Sequence, residues 1–135
     1  MRRPYEQMRR WLDQAEHQLE VTESLLESGF WSDVCFMAEQ TSQMALKAFL
    51  YGKGERHIFL HSIQELASEC RRLDDAFAEV VEWGKILDRY YIPTRYPDAL
   101  ASPAVPFRSF TQDDARQARR YAADIVELVK THSEQ

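Results

Sequence analysis

The chain has 135 residues, 44% of them hydrophobic and 29% charged, a balance that excludes a disordered chain and suffices for one core without metal or disulfide staples. Its 17 basic and 22 acidic residues leave a net charge of −5, which excludes indiscriminate nucleic-acid binding through a basic surface but leaves room for a local patch that takes RNA. No apolar run approaches the roughly 20 residues of a membrane span, and Met1 to Tyr5 lead into a charged helix rather than a signal core, so a cytoplasmic protein is expected. Cys35 and Cys70 each sit among apolar residues at helical spacing and read as reduced, buried thiols.

The spacing of Met8, Leu12, Ala15, Leu19 and Leu26 predicts a first helix from about Pro4 to Leu26, with Gly29 placed to take a left-handed conformation after its last turn. A second helix is expected from Ser32 or Asp33 to about Tyr51, antiparallel to the first because the connection is short. The stretch from Tyr51 to Arg56 reads as a loop. Ser62 with Glu65 three residues on then has the capping-box pattern for a third helix, with His61 just before the cap. Asp74 or Asp75 can open a fourth helix, whose stripe of Phe77, Val80, Gly84, Leu87 and Tyr91 would point one way. After a loop from Ala99 to Phe110, Thr111 caps a last helix, with Asp113 and Asp114 favourable in its first turn. The expected fold is all-α, a compact up-and-down helical bundle of four long helices plus one short helix, in a single domain over residues 1–135.

The chain is organised around Leu87 to Asp98, L-D-R-Y-Y-I-P-T-R-Y-P-D, a mixture no core needs. Pro93 stops the preceding helix, and Pro93 and Pro97 push Ile92 and Tyr96 toward extended geometry, so the segment should be rigid and irregular. Arg95 is the first candidate, since its planar fork suits a phosphate or carboxylate; the alternative is a structural pair with Asp88 or Asp98. Tyr96 can stack on a base or line a pocket, whereas core packing is the expectation for Tyr91. His61 offers a base or a hydrogen-bond acceptor, against a plainer role fixing its loop to the fourth helix. Glu39, Gln43 and Lys47, four apart on the second helix, form either a solvated ladder, which is the expectation, or a polar seam facing the focal loop. His57 and His61 lack accompanying carboxylates or cysteines at ligand spacing, so neither a metal nor a cofactor is expected.

The order and spacing of F-M-A-E-Q-T-S-Q-M-A-L-K from Phe36 to Lys47, then His61-Ser62-Ile63 with Leu66, the focal stretch, Phe110-Thr111 and Asp114-Ala115 resemble the HEPN domain family over nearly the whole chain. The resemblance implies a compact α-helical bundle, often a homodimer, in prokaryotes commonly encoded beside a minimal nucleotidyltransferase. It also implies one of two activities, metal-independent RNA cleavage of the toxin–antitoxin type or the binding of nucleotides and similar ligands. Ribonuclease members carry a histidine a few residues after an arginine near the focal site. Here Arg95 is followed by Tyr96 to Ser102 with no histidine. The expectation is therefore a binding module for a nucleotide or another anionic ligand, built from Arg95, Tyr96, Asp98, His61, Asp88, Tyr91 and Lys47, or a partner of a minimal nucleotidyltransferase in a toxin–antitoxin-like pair. The alternative is a dimeric ribonuclease using Arg95 and His61.

Overall fold

In the computed structural model, which describes residues 2–133, five α-helices account for most of the chain and no strand occurs among the described residues. They are α1 (Arg2–Glu27), α2 (Trp31–Gly52), α3 (Ile63–Leu73), α4 (Ala78–Leu87) and α5 (Gln112–His132). The expected all-α bundle is thus the observed one. The short link between α1 and α2 turns at Gly29, whose φ of 80° lies in the region that favours glycine. Packing is centred on α2, which touches α1, α3 and α5, and whose buried residues include Val34, Ala38, Leu46 and Phe49 as well as Glu39, Gln43 and Lys47.

The start of α5 follows local sequence chemistry. Thr111 Oγ1 accepts from the Asp114 amide at 3.0 Å and Asp114 returns the bond to the Thr111 amide at 2.9 Å. The start of α3 does not. Ser62 accepts from the Glu65 amide at 3.2 Å as expected, but the carboxylate that serves this helix start is that of Asp88, 26 residues on from Ser62. Asp88 Oδ2 accepts from the Ser62 hydroxyl at 2.7 Å and from the Gln64 amide at 3.2 Å, and Oδ1 accepts from the Ile63 amide at 2.6 Å. A carboxylate from elsewhere in the chain can serve here because the first amides of a helix have no partner within it and attract negative charge.

The fourth helix, expected to run unbroken into Tyr91, is instead a relay: a 3-10 turn (Asp75–Phe77), α4, and a second 3-10 turn (Asp88–Tyr90). Asp74 opens the relay, accepting from the Ala76 amide at 2.9 Å and meeting His132 Nδ1 of α5 at 2.9 Å. Gly84 on α4 lies against the first turn of α3, so close that a Cβ there would stand 2.7 Å from the Gln64 nitrogen and 2.8 Å from its Cα. That approach carries Asp88 to the start of α3.

Candidate functional site

The closing 3-10 turn decides which tyrosine faces inward. In 3-10 geometry residues three apart eclipse, so the side chain above buried Leu87 is Tyr90 and not, as α-helical spacing predicts, Tyr91. Tyr90 is buried, edge-on to Phe110 at 5.8 Å, and burial pushes its hydroxyl pKa well above the usual value. Tyr91 is 37% exposed, which corrects the expectation that it packs in the core. The carbonyls left open where the helix ends are taken up by the loop that follows. Thr94, itself buried, donates its hydroxyl to the Tyr90 carbonyl at 2.6 Å, while the amides of Arg95 and Tyr96 donate to the carbonyl of Ile92.

Arg95 closes the arrangement. Its Nε and Nη2 both donate to the Tyr91 carbonyl oxygen, at 3.0 and 2.9 Å. The guanidinium carbon lies 4.5 Å from the ring centre of Phe36 on α2, 4.8 Å from that of Tyr96 and 5.1 Å from that of Tyr91. Among the described residues no carboxylate pairs with it. The expected alternatives do not form, because Asp88 is committed to α3 and the side chain of Asp98, exposed in the 3-10 turn Pro97–Ala99, makes no hydrogen bond or ion pair among the described residues. His61 meets the cluster at Tyr91, its ring nearly parallel to that of Tyr91 (7°) with centres 6.5 Å apart.

Glu39, Gln43 and Lys47 are buried and do not form the expected solvated ladder; Glu39 and Gln43 make a buried polar seam. Glu39 is 1% exposed, and its two oxygens accept from Gln40 Nε2 at 2.7 Å and Gln43 Nε2 at 2.6 Å. Apolar residues surround α2 on most sides, which leaves no outer face for a ladder. Desolvation pushes the Glu39 carboxyl up to about 7; the amide bonds from Gln43 and Gln40 and the nearby charge of Arg95 oppose the rise, and Asp88 adds to it. Lys47, two turns further along α2, lies apart from the Arg95 cluster: its ammonium is 5.8 Å from the centre of the Trp11 ring, and burial lowers its pKa against the pull of Glu39. Of the sequence candidates, the fold thus gathers Arg95, Tyr96, Tyr91 and His61, commits Asp88 to the start of α3, and leaves Asp98 and Lys47 aside. Sequence reading missed Phe36 as a partner of Arg95 and gave Glu39 a part only as the less expected of two readings.

Because the folded-state pKa of Glu39 exceeds its unfolded value, its neutral form contributes stability that is present at acid pH and lost as pH rises from about 4.5 through about 7. Glu39→Gln should accordingly match the natural protein near pH 4.5 and exceed it by up to about 3 kcal/mol at pH 8, measured by urea unfolding at both pH values. A difference independent of pH would contradict this assignment.

The helical architecture defines the class of the protein, a small α-helical domain whose focal loop carries a guanidinium held by three rings and a carbonyl. The chain belongs to the HEPN domain family, whose model matches residues 8–132. Its fold is similar to that of TT1696 from Thermus thermophilus, with a TM-score of 0.85 and 35% identity over 93% of this chain and 97% of that one. It is also similar to ST0689, an archaeal HEPN homologue, with a TM-score of 0.76 and 29% identity over 95% of this chain and 98% of that one. Among curated proteins it is 23% identical over 128 residues to a Methanocaldococcus jannaschii protein named "Putative toxin MJ1304", covering 89% of this chain and 84% of that protein.

Proposed function

We propose that this HEPN protein binds the phosphate of a nucleotide at Arg95, acting as the helical member of a toxin–antitoxin-like pair with a minimal nucleotidyltransferase. The observation that carries the binding reading is a guanidinium fixed by three rings and one carbonyl, with no carboxylate partner among the described residues. A charged, oriented donor set held ready in this way loses little freedom when an anion arrives. Tyr96, 51% exposed, and Tyr91 offer flat faces beside it for a base. The pairing with a nucleotidyltransferase, and a homodimeric state, rest on the family and on the toxin name of the M. jannaschii relative. Isothermal titration with nucleoside monophosphates and triphosphates tests the site: Arg95→Ala should weaken binding at least about tenfold with helicity retained, and Arg95→Lys should recover only part of it, since an ammonium lacks the planar fork.

A second reading, cleavage of RNA without metal, is favoured by one contact: the Tyr91 ring that supports Arg95 also faces His61, so a cation and a candidate base share one cluster. It predicts cleavage that survives a chelator and disappears in both Arg95→Ala and His61→Ala. Failure of freshly purified protein to cut a range of RNAs would remove this second reading and leave the first standing.

A further inference from the structure

Between α2 and α3 the chain runs through His57, Ile58, Phe59, Leu60 and His61 without helix or turn. Exposure alternates along it. Ile58 and Leu60 pack against the core, whereas His57, Phe59 and His61 face outward. From Ile58 to His61 such alternation is the mark of extended backbone, in which residues two apart lie on one side. Phe59 is 79% exposed, more than any other large hydrophobic side chain among the described residues. Burial does not account for it. His57 holds a φ of 57°, a left-handed conformation that a side chain bearing a Cβ adopts at a cost, and its ring lies nearly parallel to that of Phe59 (12°, centres 6.4 Å apart). At the other end of the row His61 faces Tyr91 in the same near-parallel manner, and Tyr91 in turn meets Arg95. The row thus holds two ring pairs, His57–Phe59 and His61–Tyr91, joined through the backbone of Leu60, and the second pair meets the Arg95 cluster.

We propose that the outward row His57, Phe59 and His61, continued by Tyr91, is a stacking track along which a single-stranded polynucleotide passes to Arg95. The inference rests on the reading of Arg95 as a phosphate site and extends it from one nucleotide to several. A ligand matched to this surface needs repeated flat faces and repeated negative charge. Stacking on aromatic side chains suits any base, and Arg56 at the outer end and Arg95 at the inner end supply cations for the backbone. Glu55, the acidic neighbour at the outer end, is turned toward Arg72 of α3 at 4.0 Å. With a protein of net charge −5, affinity on this track depends on the rings more than on charge.

The test measures fluorescence anisotropy of labelled single strands of about ten nucleotides, RNA and DNA of one sequence, with the full chain and its Phe59→Ala, His57→Gly and Arg95→Ala variants. Phe59 is exposed and glycine suits the φ of position 57, so both loop variants should fold. Phe59→Ala should weaken strand binding about tenfold while leaving mononucleotide affinity unchanged, His57→Gly should act in the same direction, and Arg95→Ala should weaken both ligands. Parallel losses for RNA and DNA assign the track to bases alone, while a loss confined to RNA assigns it to a strand bearing 2′-hydroxyls. Strand affinity unchanged in Phe59→Ala, with mononucleotide binding intact, overturns the track and spares the Arg95 site. A change of sedimentation from dimer to monomer in Phe59→Ala, with strand affinity unchanged, also overturns it and marks the row as a protein contact. Absence of both strand and mononucleotide binding overturns the Arg95 reading itself.

Discussion

Replacing Asp88 by alanine is expected to destabilise the protein by about 3 kcal/mol, roughly a 10 °C fall in Tm for a domain of this size. The carboxylate accepts three hydrogen bonds at the start of α3, from the Ser62 hydroxyl and from the Ile63 and Gln64 amides. Bonds to a charged acceptor contribute more than neutral ones, and removing the acceptor strands two helix amides with no partner in their own helix. The Ser62 bond has a further consequence. By taking the hydroxyl hydrogen, Asp88 leaves the Ser62 lone pairs turned to the Glu65 amide, so the local cap is oriented by the distant residue. Asp88→Asn keeps one good acceptor and should lose about half as much. Thermal unfolding of both variants measures the pair; equal stability of Asp88→Ala and the natural protein would remove Asp88 from its supporting role.

Gly84→Ala should cost about 2 kcal/mol, although alanine is the better helix former. In an exposed helix interior the exchange gains about 1 kcal/mol. Here the added Cβ would stand 2.7 to 3.0 Å from the Gln64 nitrogen, the Gln64 Cα and the Ile63 carbonyl carbon, all of them backbone atoms that no rotamer change can withdraw. Separating α4 from α3 to make room costs about 3 kcal/mol by analogy with overpacked cores, so the clash outweighs the propensity gain. Because the same movement draws Asp88 from its amides, the losses in a Gly84→Ala, Asp88→Ala double variant should sum to less than those of the two single variants. Urea unfolding of all four proteins checks both the sign and the coupling.

These two residues also mark where the sequence stops being legible. The five-helix all-α fold can be read from periodicity, and the α5 cap from Thr111 and Asp114, because each depends on residues within a few positions of one another. The start of α3 can be read only in part. Ser62 is local, but Asp88 arrives through the folding of α4, and nothing in its neighbourhood announces a helix 25 residues away. Arg95 and Tyr96 stand out in sequence because Pro93 and Pro97 flank a polar, aromatic segment with no use in a core. Their companion Phe36 does not, since an aromatic residue on a largely apolar helix reads as core. Tyr91 is misread from periodicity for a definite reason: the change from 3.6 to 3.0 residues per turn after Leu87 moves the inward position from Tyr91 to Tyr90. The seam of Glu39 and Gln43 had a signal in the apolar residues all around α2, which leave a polar ladder no solvent to face.

The most direct test of the account is thermal unfolding of the purified protein with and without a panel of nucleotides, run beside Arg95→Ala. A nucleotide at about 100 times its dissociation constant should stabilise the native state by roughly 2.7 kcal/mol, and this stabilisation should vanish in a variant that remains folded. Equal stabilisation of both proteins would place the ligand elsewhere, and no stabilisation by any nucleotide would contradict a nucleotide site at Arg95.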